Sequence, residues 1–387
     1  MGTFRNIIVA IRKKVIYFYF KFKKYQLLTL EETIRCLKPS CIRTVPGSAV
    51  ALPEISYQNN LQKVFFEAYT FRSEAVYVWE CDFQNGFISK HGSVVIDNKV
   101  LCTDWDHRGF EHRFWKKDKR PLKYVKKLIP LLSHHQDLTS PSVLTGYYDF
   151  VLMVAAKLSR IKDALGNQDI RDITIAYHSF GGHYEKEYLE LLGFRAENYI
   201  DTRAYKISAN KVIFGNAGSW KPSVNEIKSL KKNIEQRLNI SPLTPSADNR
   251  IYISRKGRRR IENEIELIEL LREFNFIIIE DKERSVAEQI EIYRNASFII
   301  GPHGASFANI IWCRPETFLY ELFSKSWYPD YFLYLSSINH MHYAAYQDET
   351  SEEINGDLFR ALCQDIQVSI PILRASLEKI LGKSASA

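Results

Sequence analysis

The chain has 387 residues, which is more than a single hydrophobic core usually serves and therefore favours two domains. Hydrophobic residues make up 45% and charged residues 25%, as in ordinary soluble globular proteins. The formal net charge is +8, but seven basic residues and no acid fall within residues 1–30, so the remainder is nearly balanced. A basic excess confined to one end argues against a nucleic-acid groove across the fold.

Residues 1–30 mix basic residues with Ile, Val, Tyr and Phe. Their uncharged runs, 6–11 and 15–20, are too short for the roughly 20 apolar residues of a spanning helix or for a signal peptide. We predict that this segment contacts an anionic membrane surface; the alternative is a basic first helix packed on the protein. Six cysteines without paired spacing indicate a reducing compartment. The predicted location is cytoplasmic, peripheral on the inner face of the plasma membrane.

Alternating strand and helix patterns follow in residues 31–240, which we predict to be a Rossmann-like, acceptor-binding domain. Prolines and glycine within residues 31–60 indicate a leading loop. Helical spacing covers residues 147–165 and ends before Gly166. A buried strand is predicted at 173–177 and a helix at 184–192, closed by Gly193. A proline-containing linker at 241–248 ends the domain.

The second half, residues 241–350, is predicted to be a donor domain with a parallel sheet covered by helices on both faces. Ser285 and Glu288 form the pattern of a helix capping box. One helix is expected to bury Ile261, Ile265, Ile268 and Leu271 on a single face. Residues 351–387 are expected to form closing helices and a tail. The strands are predicted at 250–254, 276–279, 297–300 and 318–322, and the helices at 261–273, 285–295 and 305–311.

The turn Gly301-Pro302-His303-Gly304-Ala305-Ser306 lies between a predicted strand and the start of a helix. Helix N-termini offer backbone N–H groups and a partial positive charge, so they bind phosphate well. His303 can donate a hydrogen bond to a diphosphate oxygen. The alternative is a glycine turn with a structurally satisfied histidine.

A basic loop, residues 254–260, also follows a predicted strand and precedes a helix. One or two of its cations can neutralise a leaving diphosphate, and arginine can do so with two hydrogen bonds. A solvated basic loop is the alternative. Because both motifs follow strands of one parallel sheet, they fall on the same edge, where ligands of such sheets bind.

Residues 250–322 resemble glycosyltransferase family 61, and a looser resemblance extends back to about residue 65. The resemblance is carried by six stretches in the same order and spacing. These are Tyr252-Ile253-Ser254-Arg255-Lys256 with Arg259-Arg260-Ile261-Glu262-Asn263-Glu264, Ala287-Glu288-Gln289-Ile290, Ile299-Ile300-Gly301-Pro302-His303-Gly304-Ala305, Ala308-Asn309 and Tyr320-Glu321-Leu322.

The resemblance implies an α/β fold of the GT-B type, with two Rossmann-like domains facing a central cleft, and an inverting reaction without metal. It implies a nucleotide-sugar donor, uridine-linked by family analogy, as substrate and no other cofactor. Glu321 stands where GT-B enzymes often hold the ribose with an acid. Ser306 replaces the glycine usual in the family. The residues expected to contact the donor are Ser254, Arg255, Arg259, His303, Gly304, Ala305, Ser306 and Glu321.

An inverting transfer needs a base within hydrogen-bond reach of the acceptor hydroxyl. Asp149 is the first candidate, because it opens a predicted helix in the acceptor domain; its alternative role is a helix cap. His178 and His183, near the end of a predicted strand, are the others. Where this chain has Tyr147-Tyr148-Asp149-Phe150, bacterial family members have a segment that resembles Tyr-Tyr-His-Trp. The family pattern therefore does not identify the catalytic base of this chain.

The resulting hypothesis is a glycosyltransferase that extends a glycan or lipid-linked glycan in cell-surface polysaccharide synthesis. One alternative is a metal-dependent GT-A-like transferase that uses Asp104 and Asp106, since an Asp-x-Asp motif can hold a divalent cation. Another is a non-catalytic nucleotide or nucleic-acid binder that uses the basic loop 255–260. We predict no metal site and no nucleic-acid partner.

Overall fold

The computed structural model of the chain describes residues 24–57, 63–88, 93–103, 118–131, 146–216, 220–240 and 249–382, with six scattered positions between 11 and 22. Most of the basic segment, Asp104, Asp106 and the linker 241–248 lie outside the described residues. The chain divides into two compact units. The first contains Met1–Ser48 and Ser73–Arg237, and the second contains Ala49–Arg72 and Leu238–Ala387.

The first unit is built on a mixed ten-stranded sheet. Its parallel part has the order β14-β11-β12-β13, and antiparallel strands continue from β14 through β8, β9 and β10, and through β7 to β2. The strands are β1 (Gln26–Leu27), β2 (Cys41–Val45), β7 (Val76–Asp82), β8 (Phe87–Ile88), β9 (Val94–Ile96), β10 (Lys99–Val100), β11 (Leu122–Pro130), β12 (Thr174–Tyr177), β13 (Tyr199–Asp201) and β14 (Lys206–Gly215).

Helices cover this sheet, and the helices predicted at 147–165 and 184–192 are among them, whereas the predicted loop 31–60 contains a helix and three strands. The predicted helix over 147–165 forms, but its middle is a π-helical turn, Phe150–Ala155, whose residues are all buried. Its flanks are α2 (Tyr147–Asp149) and α3 (Ala156–Leu165). Gly193 follows the next helix with φ of +88°, a conformation that glycine adopts without strain. The remaining helices are α1 (Leu30–Cys36), α4 (Tyr184–Leu191) and α5 (Val224–Arg237), with short 3₁₀ turns at Lys38–Ser40 and Ala196–Asn198.

The second unit contains a five-stranded, fully parallel sheet of order β16-β15-β17-β18-β19. Adjacent strands here are rich in buried apolar residues, as expected of parallel strands with both faces covered. The α/β fold class is therefore correct. The strands are β15 (Asn249–Ile253), β16 (Phe276–Ile279), β17 (Ala296–Pro302), β18 (Phe318–Phe323) and β19 (His342–Gln347).

The predicted capping box is present in the second unit: Ser285 Oγ accepts from the Glu288 N–H, and Glu288 accepts from the Ser285 N–H. The expectation for Ile265 is wrong, because it is 77% exposed. The buried stripe of its helix runs through Leu267, Leu270 and Leu271, and Ile265 lies on the opposite side. The helices are α6 (Glu264–Glu273), α7 (Val286–Arg294), α8 (Tyr331–Ile338), α9 (Leu358–Cys363) and α10 (Ile370–Leu381), with a 3₁₀ helix at Ala305–Trp312.

Residues 49–72 precede most of the first unit in sequence but belong to the second. They form two antiparallel strand pairs, β3 (Ala49–Leu52) with β6 (Tyr69–Arg72) and β4 (Ile55–Ser56) with β5 (Val64–Phe66). Tyr57 donates to Gln347 at 3.0 Å, and Tyr69 donates to Asp330 at 2.5 Å. These contacts tie the segment to β19 and to the start of α8. Within the described parts of the chain, no helix is both long and apolar enough to cross a bilayer.

Candidate functional site

The turn after β17 is held at the carboxyl edge of the second sheet by its own backbone. The His303 N–H donates to the Leu322 carbonyl at 2.8 Å, and the Phe307 N–H donates to the Gly304 carbonyl at 3.0 Å. A Cβ on Gly301 would lie 2.9 Å from the Ile253 carbonyl oxygen, so glycine lets β17 approach β15 closely. The first N–H groups of the 3₁₀ helix that follows lack intrahelical partners. The turn thus presents donors at the strand ends.

Two guanidinium groups converge on this turn. Arg255 Nη1 and Arg259 Nε donate to the carbonyl oxygen of His303 at 3.0 and 2.9 Å. A Cβ on Gly304 would overlap Nη1 of Arg255, so the glycine is required for the guanidinium to cross the backbone here. The structure therefore brings together the two motifs that the sequence placed at one sheet edge.

These two cations lie in an environment poor in carboxylates. Neither Arg255 nor Arg259 forms an ion pair in the part of the chain that the structure describes, whereas Arg260 of the same loop pairs with Asp365 at 2.9 Å. Burial, with repulsion from Arg258, lowers the pKa of Arg255 to about 10. Burial, with repulsion from Arg255 and Arg258, lowers the pKa of Arg259 to about 9. Attraction to Asp281 and to Glu321 raises the two pKa values in part, but both groups stay charged at neutral pH without an ion pair among the described residues.

Arg259 has a strained backbone, with φ of +58° in the left-handed region. A non-glycine residue there costs on the order of 1 kcal/mol and persists only where the surroundings impose it. Its guanidinium is held at both ends, by the His303 carbonyl and by the Leu362 carbonyl at 2.7 Å. The strained backbone of Arg259 is thus found together with a guanidinium group that two carbonyl oxygens hold in one position.

His303 belongs to a buried chain of three polar side chains. Its Nδ1 lies 2.5 Å from Glu321 Oε1, and the Tyr343 hydroxyl donates to Glu321 Oε2 at 2.6 Å. Glu321 is fully buried, and His303 is 5% exposed. Burial, reinforced by the nearby arginines, holds the pKa of His303 well below its usual value. Burial raises the pKa of Glu321 well above its usual range, although the Tyr343 hydrogen bond and Arg259 oppose this.

Aromatic rings fix the orientation of the His303 imidazole. Phe323 stacks on it with centroids 5.2 Å apart and an interplanar angle of 23°, and Phe332 lies at the same distance in a tilted arrangement. Phe65 and Phe66, from the segment 49–72, contact Phe323 at 5.6 and 6.1 Å. With Nδ1 engaged by Glu321, Nε2 is the ring nitrogen left for a ligand.

The other predicted donor-site residues are adjacent but differently engaged. The Ser254 hydroxyl donates to Glu264 at 2.7 Å, and the same carboxylate accepts from Tyr252 at 2.8 Å. Ala305 and Ser306 are partly exposed and open the 3₁₀ helix, where their backbone faces the turn. The Ser254 hydroxyl thus braces the start of the basic loop.

The three candidate bases all belong to the first unit. Asp149 caps its helix, accepting from the Gly146 N–H at 2.9 Å. His178 directly follows β12, and burial, with repulsion from Arg203, lowers its pKa to about 4. His183 is exposed at the start of α4, with Nε2 3.5 Å from Glu187.

Sequence reasoning missed Tyr343 and the four phenylalanines around His303. No local sequence motif identifies these residues as part of the site. Phe65 and Phe66, for example, lie more than 230 positions from His303 in the chain. The one available signal for Tyr343 is strand alternation: Ala345 pairs with Glu321, so Tyr343, two residues earlier, lies on the same face of the sheet. That signal requires knowing that β19 neighbours β18.

In the described segments, no group of three His, Cys, Asp or Glu side chains converges as a metal site would require. A cationic turn at the carboxyl ends of parallel strands is the arrangement of a phosphate-binding α/β domain. A family model described as Glycosyltransferase 61 matches residues 124–320, just over half of the chain. The chain belongs to glycosyltransferase family 61, and the family resemblance read from the sequence is confirmed.

A curated relative supports the transferase class. The protein O-linked-mannose beta-1,4-N-acetylglucosaminyltransferase 2 of Mus musculus is 30% identical over 115 residues. That alignment covers 28% of this chain and 20% of the mouse protein, so the chain matches only a fifth of the relative's length. Both comparisons therefore match this chain to glycosyltransferases.

Proposed function

We propose that this protein is an inverting, metal-independent glycosyltransferase of the GT-B type. It transfers a sugar from a nucleotide-sugar donor, uridine-linked by family analogy, to a glycan or lipid-linked glycan in cell-surface polysaccharide synthesis. The protein needs no other cofactor, and it works in the cytoplasm at the inner face of the plasma membrane, held by its basic N-terminal segment. The name of the mouse relative describes transfer to a sugar, which supports a glycan acceptor.

The observation that carries this proposal is the pair of guanidinium groups without carboxylate partners at the turn 301–305. When the bond to the sugar breaks, negative charge develops on the departing diphosphate. Arg255 and Arg259 are already in place to compensate that charge, so no reorganisation is needed at the moment of reaction. Removing one such donor typically costs roughly 2–4 kcal/mol of transition-state stabilisation. In this proposal arginine supplies the charge that a divalent cation supplies in metal-dependent transferases.

His303 acts as a neutral hydrogen-bond donor to the diphosphate. The lowered pKa of His303 favours a neutral imidazole, and the raised pKa of Glu321 favours a protonated carboxyl group. The carboxyl O–H of Glu321 then donates its hydrogen bond to Nδ1 of His303. The imidazole then carries its own hydrogen on Nε2, which points a donor at the ligand. Both oxygens of Glu321 are engaged, by His303 and Tyr343. We therefore propose that Glu321 positions the imidazole, in place of the ribose contact expected from sequence.

On the acceptor side, a base in the first unit removes the proton of the attacking hydroxyl. Asp149 remains the first candidate, because it lies in the first turn of its helix in the predicted acceptor domain. His178 and His183 are the alternatives. The acceptor oxygen attacks the anomeric carbon from the face opposite the diphosphate, so the anomeric configuration inverts.

The test is a panel of nucleotide sugars assayed for thermal stabilisation and slow donor hydrolysis, with Arg255→Ala beside the native chain. Arg260→Ala is the matched control, because Arg260 is in the same loop but is exposed and paired with Asp365. Stabilisation by at least one nucleotide sugar, lost in Arg255→Ala and kept in Arg260→Ala, supports the proposal. If no nucleotide sugar stabilises the native protein, the proposal is wrong.

Two further measurements test its finer parts. Proton NMR of the product reports whether the anomeric configuration inverts. Activity that persists in excess chelator supports metal independence, and activity abolished by chelator and restored by a divalent cation supports the alternative that uses Asp104 and Asp106. Tight nucleotide binding without turnover of any sugar would favour the non-catalytic binder.

A further inference from the structure

A cationic cavity lies in the first unit, and the proposed transfer reaction assigns no role to the residues that line it. It has a volume of about 370 Å³, within the range of small-ligand sites. The end of β2, α3 and the first half of α5 form its walls. Its charged lining residues are Arg43, Arg160, Asp163, Glu226, Lys228 and Lys232.

The cavity lies at the carboxyl end of β14, an edge of the parallel sheet where ligands of α/β folds bind. Arg160 Nη2 donates to the Asn216 carbonyl, one residue beyond β14, at 2.5 Å. A Cβ on Gly215 would lie 2.6 Å from this nitrogen, so the glycine makes room for the arginine. Val45 pairs with Val76 next to this strand end and brings the last residues of β2 to the same place.

Arg160 is a buried cation with incomplete hydrogen bonding. Its side chain is 2% exposed, and Nη1 lies 3.4 Å from Glu226 Oε1. Among the described residues, neither Nε nor Nη1 has a hydrogen-bond partner. A buried guanidinium usually has its N–H groups satisfied, since each unmet donor costs on the order of 1–3 kcal/mol. Buried N–H donors without a partner beside a cavity indicate that a ligand in the cavity supplies the hydrogen-bond acceptor.

The two acids in the cavity wall are already engaged. Asp163 accepts from the Ser229 hydroxyl at 2.7 Å and from the Asn233 amide at 2.9 Å. Glu226 faces Arg160 and accepts from the Ser223 N–H at 3.3 Å.

With Arg160 facing Glu226, the cations Arg43, Lys228 and Lys232 remain against the single carboxylate of Asp163. No ion pair of the described chain includes Arg43, Lys228 or Lys232. Lys228 and Lys232 are spaced four residues apart on α5, an arrangement in which like charges repel. Four basic and two acidic lining residues leave a net charge of +2. A phosphate group carries about −1.5 to −2 at neutral pH and matches this charge.

We propose that this cavity binds a phosphate group, either inorganic or carried by a small organic phosphate. Arg43, Lys228 and Lys232 contact the phosphate oxygens from the rim, and Arg160 completes the site from the wall. The site belongs to the first unit alone, and it does not depend on the proposed sugar transfer or on the turn 301–305.

The test is isothermal titration with inorganic phosphate at constant ionic strength, adjusted with chloride. All variants carry Arg255→Gln, which weakens the candidate diphosphate site of the second unit. Phosphate is expected to bind saturably in this background. Arg43→Gln combined with Lys232→Gln is expected to weaken binding by about tenfold or more, because it removes two charged hydrogen-bond donors. Lys126→Gln is the matched control, because Lys126 is exposed on β11 and away from the cavity; it is expected to change nothing.

Rim residues are chosen because they are not buried, so their loss leaves folding intact. Glucose 1-phosphate and glucuronate distinguish an organic phosphate from a carboxylate ligand. Equal or tighter binding of glucuronate overturns the phosphate assignment. Absence of saturable phosphate binding in the Arg255→Gln background, or binding undiminished by the double substitution, overturns the site itself.

Discussion

Replacing Arg255 by glutamine is expected to lower activity and raise stability at the same time. Burial and Arg258 lower the pKa of this guanidinium to about 10 from its usual 12.5. At 1.36 kcal/mol for each pKa unit, keeping the charge in the folded protein costs on the order of 3 kcal/mol. The guanidinium recovers part of this through its 3.0 Å hydrogen bond to the His303 carbonyl, worth about 1–1.5 kcal/mol. The net expectation is an unfolding free energy higher by roughly 1–2 kcal/mol.

The same substitution removes a donor aimed at the departing diphosphate. Transfer should slow by about 30- to 1000-fold, from the roughly 2–4 kcal/mol attributed to such donors. Urea unfolding of the ligand-free protein measures the first effect, and initial rates with the nucleotide sugar identified by the panel measure the second. Uridine diphosphate, as a ligand, should stabilise the native chain against heat far more than the variant.

A substitution that raises the unfolding free energy and lowers the transfer rate indicates a residue that serves ligand binding and destabilises the fold. If Arg255→Gln lowers the unfolding free energy of the ligand-free protein by more than about 1 kcal/mol, the guanidinium is a structural tie and the reasoning is wrong. Arg260→Gln serves as the comparison, because its exposed side chain pairs with Asp365. It should leave the transfer rate within about twofold of the native value.

Four further outcomes are expected. Gly304→Ala should weaken nucleotide binding by about tenfold or more, because the new methyl group displaces the Arg255 guanidinium; unchanged calorimetric affinity would contradict the geometry. Glu321→Ala should lower kcat by about 10- to 100-fold with little effect on KM, because the histidine loses its fixed orientation, whereas Glu321→Gln keeps a donor to Nδ1 and should lose much less. Asp149→Asn should lower transfer by about 10²- to 10⁴-fold and leave donor binding intact if Asp149 is the base; near-native transfer would shift the assignment to a histidine. Because the pKa of His178 is about 4 in the fold, the unfolded chain binds the extra proton first as pH falls below 6.5, so native stability falls with pH in that window. Between pH 7 and 4.5 the native protein should lose roughly 2–2.5 kcal/mol more than His178→Gln, and equal losses in urea titrations would refute this.

Local patterns in the sequence were sufficient to locate the elements of the second unit between residues 249 and 323, but not β19 or α8. Strands predicted at 276–279 and 318–322 form within a residue of those bounds, and the capping box at Ser285 is present. These features depend on neighbours within one or two helical turns, so the local sequence encodes them. The turn 301–304 was likewise evident, because glycines between a strand and a helix leave few alternatives.

The composition of the site depended on contacts between distant parts of the chain. Arg255 and Arg259 reach the His303 carbonyl across more than 40 residues, and Tyr343 reaches Glu321 only because β19 pairs with β18. Membership of residues 49–72 in the second unit had no local signal either.

The sequence by itself determined the family, the α/β class and the two motifs that face one sheet edge. Tertiary structure alone decided which polar groups are buried together, that the two guanidinium groups form no ion pair among the described residues, and which helix face is covered, as the exposed Ile265 shows. The physical reason is that burial and charge compensation depend on strand order and packing, and these are set by the whole chain and not by any short segment.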